Sequence, residues 1–146
     1  MLIEFAIIAP FLFLVIFAII EFGWGFGQYL DVRHGAREGA RLAAVNYADP
    51  INGVPSTGAA QTQEIVDAVC ERMGGDINGG TIELDFAVGG EDGNDTGDEA
   101  TITLSSKLDT LTGFLDTFLA GKDINDEISF RLERDASWEA GMYTCP

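Results

Sequence analysis

The residues that could do chemistry in this chain are few, and the densest group is an acidic segment between two predicted strands. It carries the oxygen ligands that calcium prefers, at Glu91, Asp92, Asn94, Asp95, Asp98 and Glu99. Asp92, Asn94 and Gly97 follow the spacing that opens an EF-hand loop, but the twelfth position falls on Thr103 instead of a bidentate glutamate. We therefore favour a solvated acidic hairpin loop over a calcium site. In the alternative, Asp92, Asn94 and Asp98 would be the calcium ligands.

No other pattern indicates catalysis. His34 is the only histidine and stands beside arginines, so a catalytic triad, a zinc site and most general-base schemes lack the residues they need. The glycine pairs at 74–75 and 79–80 are not followed by Lys-Ser/Thr and do not open a helix after a strand, so they do not predict phosphate binding. We expect a protein that is not an enzyme and has no metal or cofactor.

The two cysteines, Cys70 and Cys145, lie far apart and fit no metal-ligand spacing. They would be unpaired thiols in a reducing cytosol. If the apolar N-terminal segment takes the rest of the chain across a membrane, they enter an oxidising compartment and pair. Because such a segment is present, we favour a Cys70–Cys145 disulfide.

Length and charge narrow the classes of protein that remain. With 146 residues the chain has room for one modest domain and an appended segment. Its formal charge of -16, from 24 acidic and 8 basic residues, repels phosphate backbones. We expect a soluble, acidic surface and no binding to nucleic acid.

The N-terminal segment is apolar over a membrane-spanning length. From Phe5 to Ile20 it has no charged or polar side chain. As a helix, residues 2–26 would extend roughly 37 Å, enough to cross a hydrocarbon core. No small-residue cleavage site follows, and the pattern continues to Val45. This predicts one long helix over residues 2–45, ending among the breakers at 46–50.

Glu4 is the unusual residue of this segment. A carboxylate just inside an apolar helix costs a few kcal/mol unless it is paired or lies near the interface. Glu4 could rest among lipid head groups at the helix end. The alternative is that it meets a positive charge, most simply the N-terminal amine of a neighbouring chain.

The second half of the predicted helix has a different character. Arg33, Arg37 and Arg41 recur every four residues and so share one stripe, called the arginine stripe below. Gly35 and Gly39, with nearby alanines, form tracks of small residues that let helix backbones approach closely. These features fit contacts between helices of different copies. They also fit an amphipathic helix folded onto its own domain with solvated arginines.

The rest of the chain reads as a small α+β head. Residues 62–73 predict a helix, and Gly74 and Gly75 should stop it. Its apolar face carries Ile65, Val66, Val69 and Met73. Alternation predicts strands over 81–88, 99–105 and 127–134, and residues 108–119 suggest a short helix or coiled loop. We expect a long helical stem in residues 1–48 and an acidic, antiparallel-sheet head in residues 49–146.

Three motifs in the stem closely resemble one known family. Ile3-Glu4-Phe5-Ala6-Ile7-Ile8-Ala9-Pro10, Ile20-Glu21-Phe22-Gly23 and Ala36-Arg37-Glu38-Gly39-Ala40-Arg41 are similar to the TadE-like proteins of tight-adherence (Tad) pilus systems. Those are pilin-like proteins of the broad type IV pilin group. The resemblance is specific over residues 2–45 and loose over residues 50–146, where it is limited to size, strand pattern and a closing Arg-Leu-Glu-Arg strand.

The resemblance implies a precursor that a prepilin peptidase cuts on the cytoplasmic face, ahead of the apolar helix. The mature subunit would wait in the inner membrane until pilus assembly machinery extracts it. The glutamate that matches Glu4 usually stands fifth after the cleaved bond and aligns incoming subunits. Here it is the fourth residue of the given sequence, so either one mature residue precedes Met1 or the cleavage register differs. On the cell surface, identical subunits would form a helical filament for adhesion.

We expect assembly through Glu4, the arginine stripe, Gly35 and Gly39. The alternative is an exported binding module that uses the helix only as a membrane anchor. Such an anchor needs neither Glu4 nor small-residue tracks, so those features favour the filament subunit.

Overall fold

The computed structural model describes residues 2–47, 57–73, 80–86, 94–113 and 121–145. The helices and strands, in chain order, are α1 Leu2–Ala44, α2 Gly58–Arg72, β1 Thr81–Phe86, β2 Glu99–Lys107, β3 Asp123–Arg131 and β4 Gly141–Thr144. The expected α+β architecture, a long N-terminal helix with a small antiparallel sheet, is confirmed.

Helix α1 is a single helix of 43 residues that continues through Pro10 and through the glycines at 23, 25 and 27. It ends in a Schellman motif, in which a residue in the left-handed region lets the chain turn back and cover the last carbonyls. Asn46 takes that position with φ of 52°. Its amide donates to the Ala43 carbonyl at 3.1 Å, and the Tyr47 amide donates to the Leu42 carbonyl at 2.9 Å.

The head holds this end of α1 by further hydrogen bonds. The Trp138 indole N–H donates to the Ala43 carbonyl at 3.1 Å, and the Glu133 amide donates to the Ala44 carbonyl at 2.8 Å. Because helix ends leave carbonyls without partners inside the helix, these donors satisfy groups that burial would otherwise penalise. The stem is thereby joined to the head by backbone contacts as well as by packing.

The described strands form one antiparallel sheet of order β3-β2-β1-β4. Strand β2 alternates buried and more exposed residues, and its inward side chains share a core with those of β1, α1 and α2. The predicted apolar face of α2 is confirmed, because all four of its residues are buried: Ile65, Val66, Val69 and Met73. The helices therefore cover one face of the sheet.

The boundaries of several head elements differ from the predictions. Helix α2 begins four residues early, at Gly58, because the Thr57 hydroxyl caps it by accepting from the Ala60 amide at 3.3 Å. Strand β3 is shifted towards the N-terminus, since its polar first half, from Asp123, pairs with the end of β2. Strand β4 was not predicted, and residues 87–88 and 114–119 of the predictions lie outside the described residues.

Candidate assembly surface on the stem helix

The apolar half of α1, residues 3–20, is not covered by the head. Its large side chains are exposed all around the helix, with Ile3 77 %, Phe11 70 % and Ile19 67 % exposed. Among the described residues this helix is the one long and apolar enough to cross a membrane, judged by length and composition. An N-terminal apolar helix of this kind suggests membrane anchoring.

Glu4 lies exposed in the first turn of α1, at the end of the helix away from the head. A carboxylate is favourable there, because the amides of a first helical turn carry partial positive charge. The partner predicted for Glu4 belongs to another chain, so that role remains a prediction.

The arginine stripe lies on the side of α1 that is turned away from the sheet, and all three of its side chains are exposed. The Arg41 guanidinium donates two hydrogen bonds to the Glu38 carboxylate, at 2.7 and 3.1 Å. These bonds, and then the charge of Glu38, raise the pKa of Arg41. The stripe therefore offers exposed cationic groups along the upper stem, with one of them paired within its own helix.

Gly35 and Gly39 lie buried beneath the head of their own chain. A Cβ atom on Gly39 would meet Ile102 Cδ1 at 2.5 Å and Val69 Cγ2 at 3.1 Å. A Cβ atom on Gly35 would collide with Met73 and lie 2.9 Å from Leu104 Cδ2. The close approach that these glycines permit is thus made inside the subunit, against α2 and β2. The assembly role expected of them stays a prediction.

Glu21 joins the stem to a segment of the head that sequence patterns did not connect with it. Its side chain is only 1 % exposed. One carboxylate oxygen accepts from the Leu111 amide at 3.0 Å, and the other accepts from the Thr112 amide at 3.1 Å and the Thr112 hydroxyl at 2.5 Å. Three donors therefore satisfy a carboxylate that would be costly to bury alone.

Gln28 makes a second contact with the same segment. Its amide nitrogen donates to the Asp109 carbonyl at 2.8 Å, and its amide oxygen accepts from the Asp109 amide at 2.9 Å. Between the two contacts, a Cβ atom on Gly25 would lie 3.5 Å from Leu108 Cδ1. Residues 108–113, called the latch segment below, thus lie along α1 from Gln28 to Glu21.

Residues 1–41 match the family model of TadE-like proteins. Searches of curated proteins and of solved structures find no match. The family match confirms the resemblance inferred from the stem motifs and suggests a Tad pilus-associated protein. It covers the stem up to Arg41, and the head lies outside it.

The TadE-like segment contains a signal that could have identified Glu21. Like Glu4, a charged residue that interrupts a long apolar run is costly unless it is paired or lies near the membrane interface. The partner could not be identified from sequence, because it consists mainly of the backbone amides of Leu111 and Thr112, about 90 residues away along the chain.

Outside the TadE-like segment, the structure joins Cys70 and Cys145 in the predicted disulfide, with Cα atoms 5.6 Å apart. Cys70 belongs to α2 and Cys145 follows β4. The bond therefore ties the C-terminal edge strand of the sheet to the first helix of the head.

The candidate calcium ligands are only partly described. Asp92 lies outside the described residues, and Asp98 accepts a hydrogen bond from the Asp95 amide at 3.2 Å in the turn at 95–98, which follows Asn94. The neighbouring Asp135 carboxylate accepts hydrogen bonds from the hydroxyl and then the amide of Thr96, and these bonds lower the pKa of Asp135. In the part of the chain that the structure describes, no group of three acidic, histidine or cysteine residues is arranged to hold a metal.

Proposed function

We propose that this chain is a structural subunit of a Tad-type pilus filament and polymerises through its N-terminal helix. The observation that carries the proposal is the apolar half of α1, which the head leaves exposed on every side. Such a surface needs lipid or other protein around it, because water disfavours so much contiguous apolar area. The match of residues 1–41 to TadE-like proteins supports a pilus as the destination.

In the proposed function the subunit occupies two environments in turn, the membrane before assembly and the filament after it. Before assembly α1 lies in the inner membrane, where a prepilin peptidase processes the precursor and assembly machinery collects the subunit. After assembly the apolar halves of many identical helices surround one another in the core of an extracellular filament, and the acidic heads face water. The protein acts in adhesion by its structure, without catalysis and without a cofactor.

The test is to shear surface filaments from cells that produce the chain and to examine them by immunogold electron microscopy. We expect filaments labelled along their length by an antibody against the head. If the chain instead remains entirely in detergent-extracted membranes of cells that make pili, the filament role is wrong and a membrane-anchored binding module replaces it.

Solubility gives an independent test of the exposed helix. The purified subunit should need detergent because the apolar side chains of residues 3–20 are exposed. Residues 42–146 are not the cause of that need, since they carry most of the acidic charge. A full-length monomer that stays soluble in plain buffer at high concentration would contradict polymerisation through the apolar half of α1.

A further inference from the structure

The position of Glu21 marks a boundary along α1. The exposed apolar residues 3–20 extend over roughly 27 Å as a helix, close to the thickness of a hydrocarbon core. Just above them the aromatic residues Trp24 and Tyr29 are exposed, and tryptophan and tyrosine are typical of the membrane–water interface. Glu21 therefore lies where a bilayer around α1 would pass from acyl chains to head groups.

The latch segment reaches down to that boundary. Its Asp109 backbone pairs with Gln28 and its Leu111 and Thr112 amides bind Glu21, seven helix residues lower. Seven residues correspond to roughly 10 Å along the helix axis. The tip of the latch segment, Leu111 and Thr112, thus lies beside α1 at Glu21, on the side of the aromatic residues that faces the apolar half of the helix.

The side chain at this tip is apolar and faces outwards. Leu111 is 53 % exposed. Among the described residues outside α1, Leu111 and Met142 are the large apolar side chains that are exposed. Met142 lies on the edge strand β4, whereas Leu111 adjoins the exposed apolar surface of the stem at Glu21. The apolar surface of the stem therefore continues onto the head at Leu111.

We propose that the latch segment is a membrane-contact site, at which Leu111 enters the acyl–head-group boundary of the leaflet on the head's side of the bilayer. Glu21 is the positioning residue. Its carboxylate fixes Leu111 and Thr112 beside α1 through hydrogen bonds, and these two residues in turn shield the carboxylate from lipid. The proposed occupant is phospholipid, because the site is continuous with the surface that would lie in the bilayer. This inference rests on the proposed residence of the subunit in a membrane before assembly.

The test uses the full chain reconstituted into phosphatidylcholine vesicles, whose zwitterionic head groups do not repel a protein of formal charge -16. Leu111→Trp is made in a Trp24→Phe background, with the buried Trp138 as a common reference. We expect emission shifted to the blue, and a loss of fluorescence when the lipids carry bromine near the head group. The loss should be smaller when the bromine lies near the end of the acyl chain.

The matched control is Met142→Trp in the same background, because Met142 is equally an exposed apolar residue of the head. Its emission should be that of an indole in water, and brominated lipid should not change it. If the chain floats with vesicles and Leu111→Trp responds no more than Met142→Trp, the membrane contact is refuted while the proposed function stands. If the chain does not float with vesicles, both the membrane contact and the proposed function are refuted.

A second variant tests the role of Glu21. Glu21→Ala, added to Leu111→Trp, removes the acceptor of three hydrogen bonds and should reduce the quenching by lipid brominated near the head group. Glu71→Ala on the exposed surface of α2 is the matched control and should leave the quenching unchanged. Equal quenching in the Glu21→Ala and Glu71→Ala proteins would overturn the positioning role.

Discussion

Two glutamates of the apolar stem have different environments. Glu21 is buried against the head and accepts three hydrogen bonds from it. Glu4 is exposed in the first turn, 17 residues lower, or roughly 26 Å along the helix. The head therefore supplies the hydrogen-bond donors that one buried carboxylate, that of Glu21, needs within the subunit. The partner proposed for the other comes from assembly.

Glu4→Ala should leave the head folded and abolish or slow the formation of filaments. The reason is that the carboxylate is the proposed partner of a neighbour's N-terminal amine, and burial in a filament core disfavours that charged amine unless an opposite charge meets it. The yield of sheared filaments and the circular dichroism of the purified subunit measure the two effects.

Glu71→Ala is the control for that experiment, since it removes an exposed glutamate from α2 instead of α1. Its filament yield should match that of the parent. A parental yield from Glu4→Ala as well would remove Glu4 from the assembly mechanism.

At the residue scale, sequence patterns identified which side chains are unusual but not all of their partners. The composition of the apolar run drew attention to Glu4, because charge in such a run is costly, but Glu21 was not singled out by the same argument. The donors to Glu21 are mainly amides, and every residue except proline has one. Only the three-dimensional path of the latch segment shows which amides reach the carboxylate.

At the scale of elements, α1 carries glycines in two different settings. Gly35 and Gly39 face the head at distances that leave no room for a Cβ atom, whereas Gly23 and Gly27 have nothing within 4 Å of that position. The first pair lets the helix approach α2 and β2 closely. The second pair has no such contact within the subunit.

Gly39→Ala should destabilise the head by about 1–3 kcal/mol, because the added methyl group displaces Ile102 and Val69 in a packed core. Gly27→Ala is the matched control and should be neutral or stabilise α1 by about 0.5–1 kcal/mol, since alanine is the better helix former. Thermal unfolding of both variants in detergent measures the difference. Equal melting temperatures would show that the core beside Gly39 adapts without cost.

The disulfide acts between elements, since it links α2 to the end of β4 across a sequence separation of 75 residues. Replacing both Cys70 and Cys145 by serine should cost roughly 4 kcal/mol in the chain-entropy model. Urea unfolding of the variant and of the oxidised parent provides the comparison, and thiol labelling of the unreduced parent should mark neither cysteine. Labelling of both would refute the bond.

Sequence patterns predicted the strands with buried apolar residues better than the more polar strands. Apolar alternation identified β1 and β2, whose inward residues are buried. Strand β4 has four residues, of which Met142 and Thr144 are exposed, so its composition does not distinguish it from a loop. Its pairing with β1 and the adjoining disulfide define it instead.

At the scale of the whole molecule, charge is distributed unevenly. Three of the eight basic residues form the arginine stripe on the exposed side of the stem, while the chain carries 24 acidic residues. Stacked heads of the same sign repel one another, and the stripe is the concentrated positive surface on the stem. Exposed pairs contribute well under ~1 kcal/mol each, so their effect in a filament would come from many copies.

Arg37→Glu should therefore weaken filaments, and added salt should lower the resistance of the parent filaments to shear. Exposed charges are screened within about 8 Å at physiological ionic strength. Arg134→Glu makes the same change in net charge on an exposed residue of the head and should have less effect. The length of filaments after controlled shearing, at low and high salt, is the measurement. Filaments of Arg37→Glu that resist salt and shear like the parent would show that the stripe is merely solvated.

The head contacts its stem at two widely separated places, and this separation has a mechanical consequence. The Schellman end at Asn46 and the contact at Glu21 are 25 residues apart, or roughly 37 Å along the axis. A pull along the stem loads the latch hydrogen bonds, the packed glycine face and the capped end simultaneously, in shear. A sideways pull would instead peel them one after another. The molecule should accordingly yield at a higher force when it is stretched along the stem than when its head is pulled away from it.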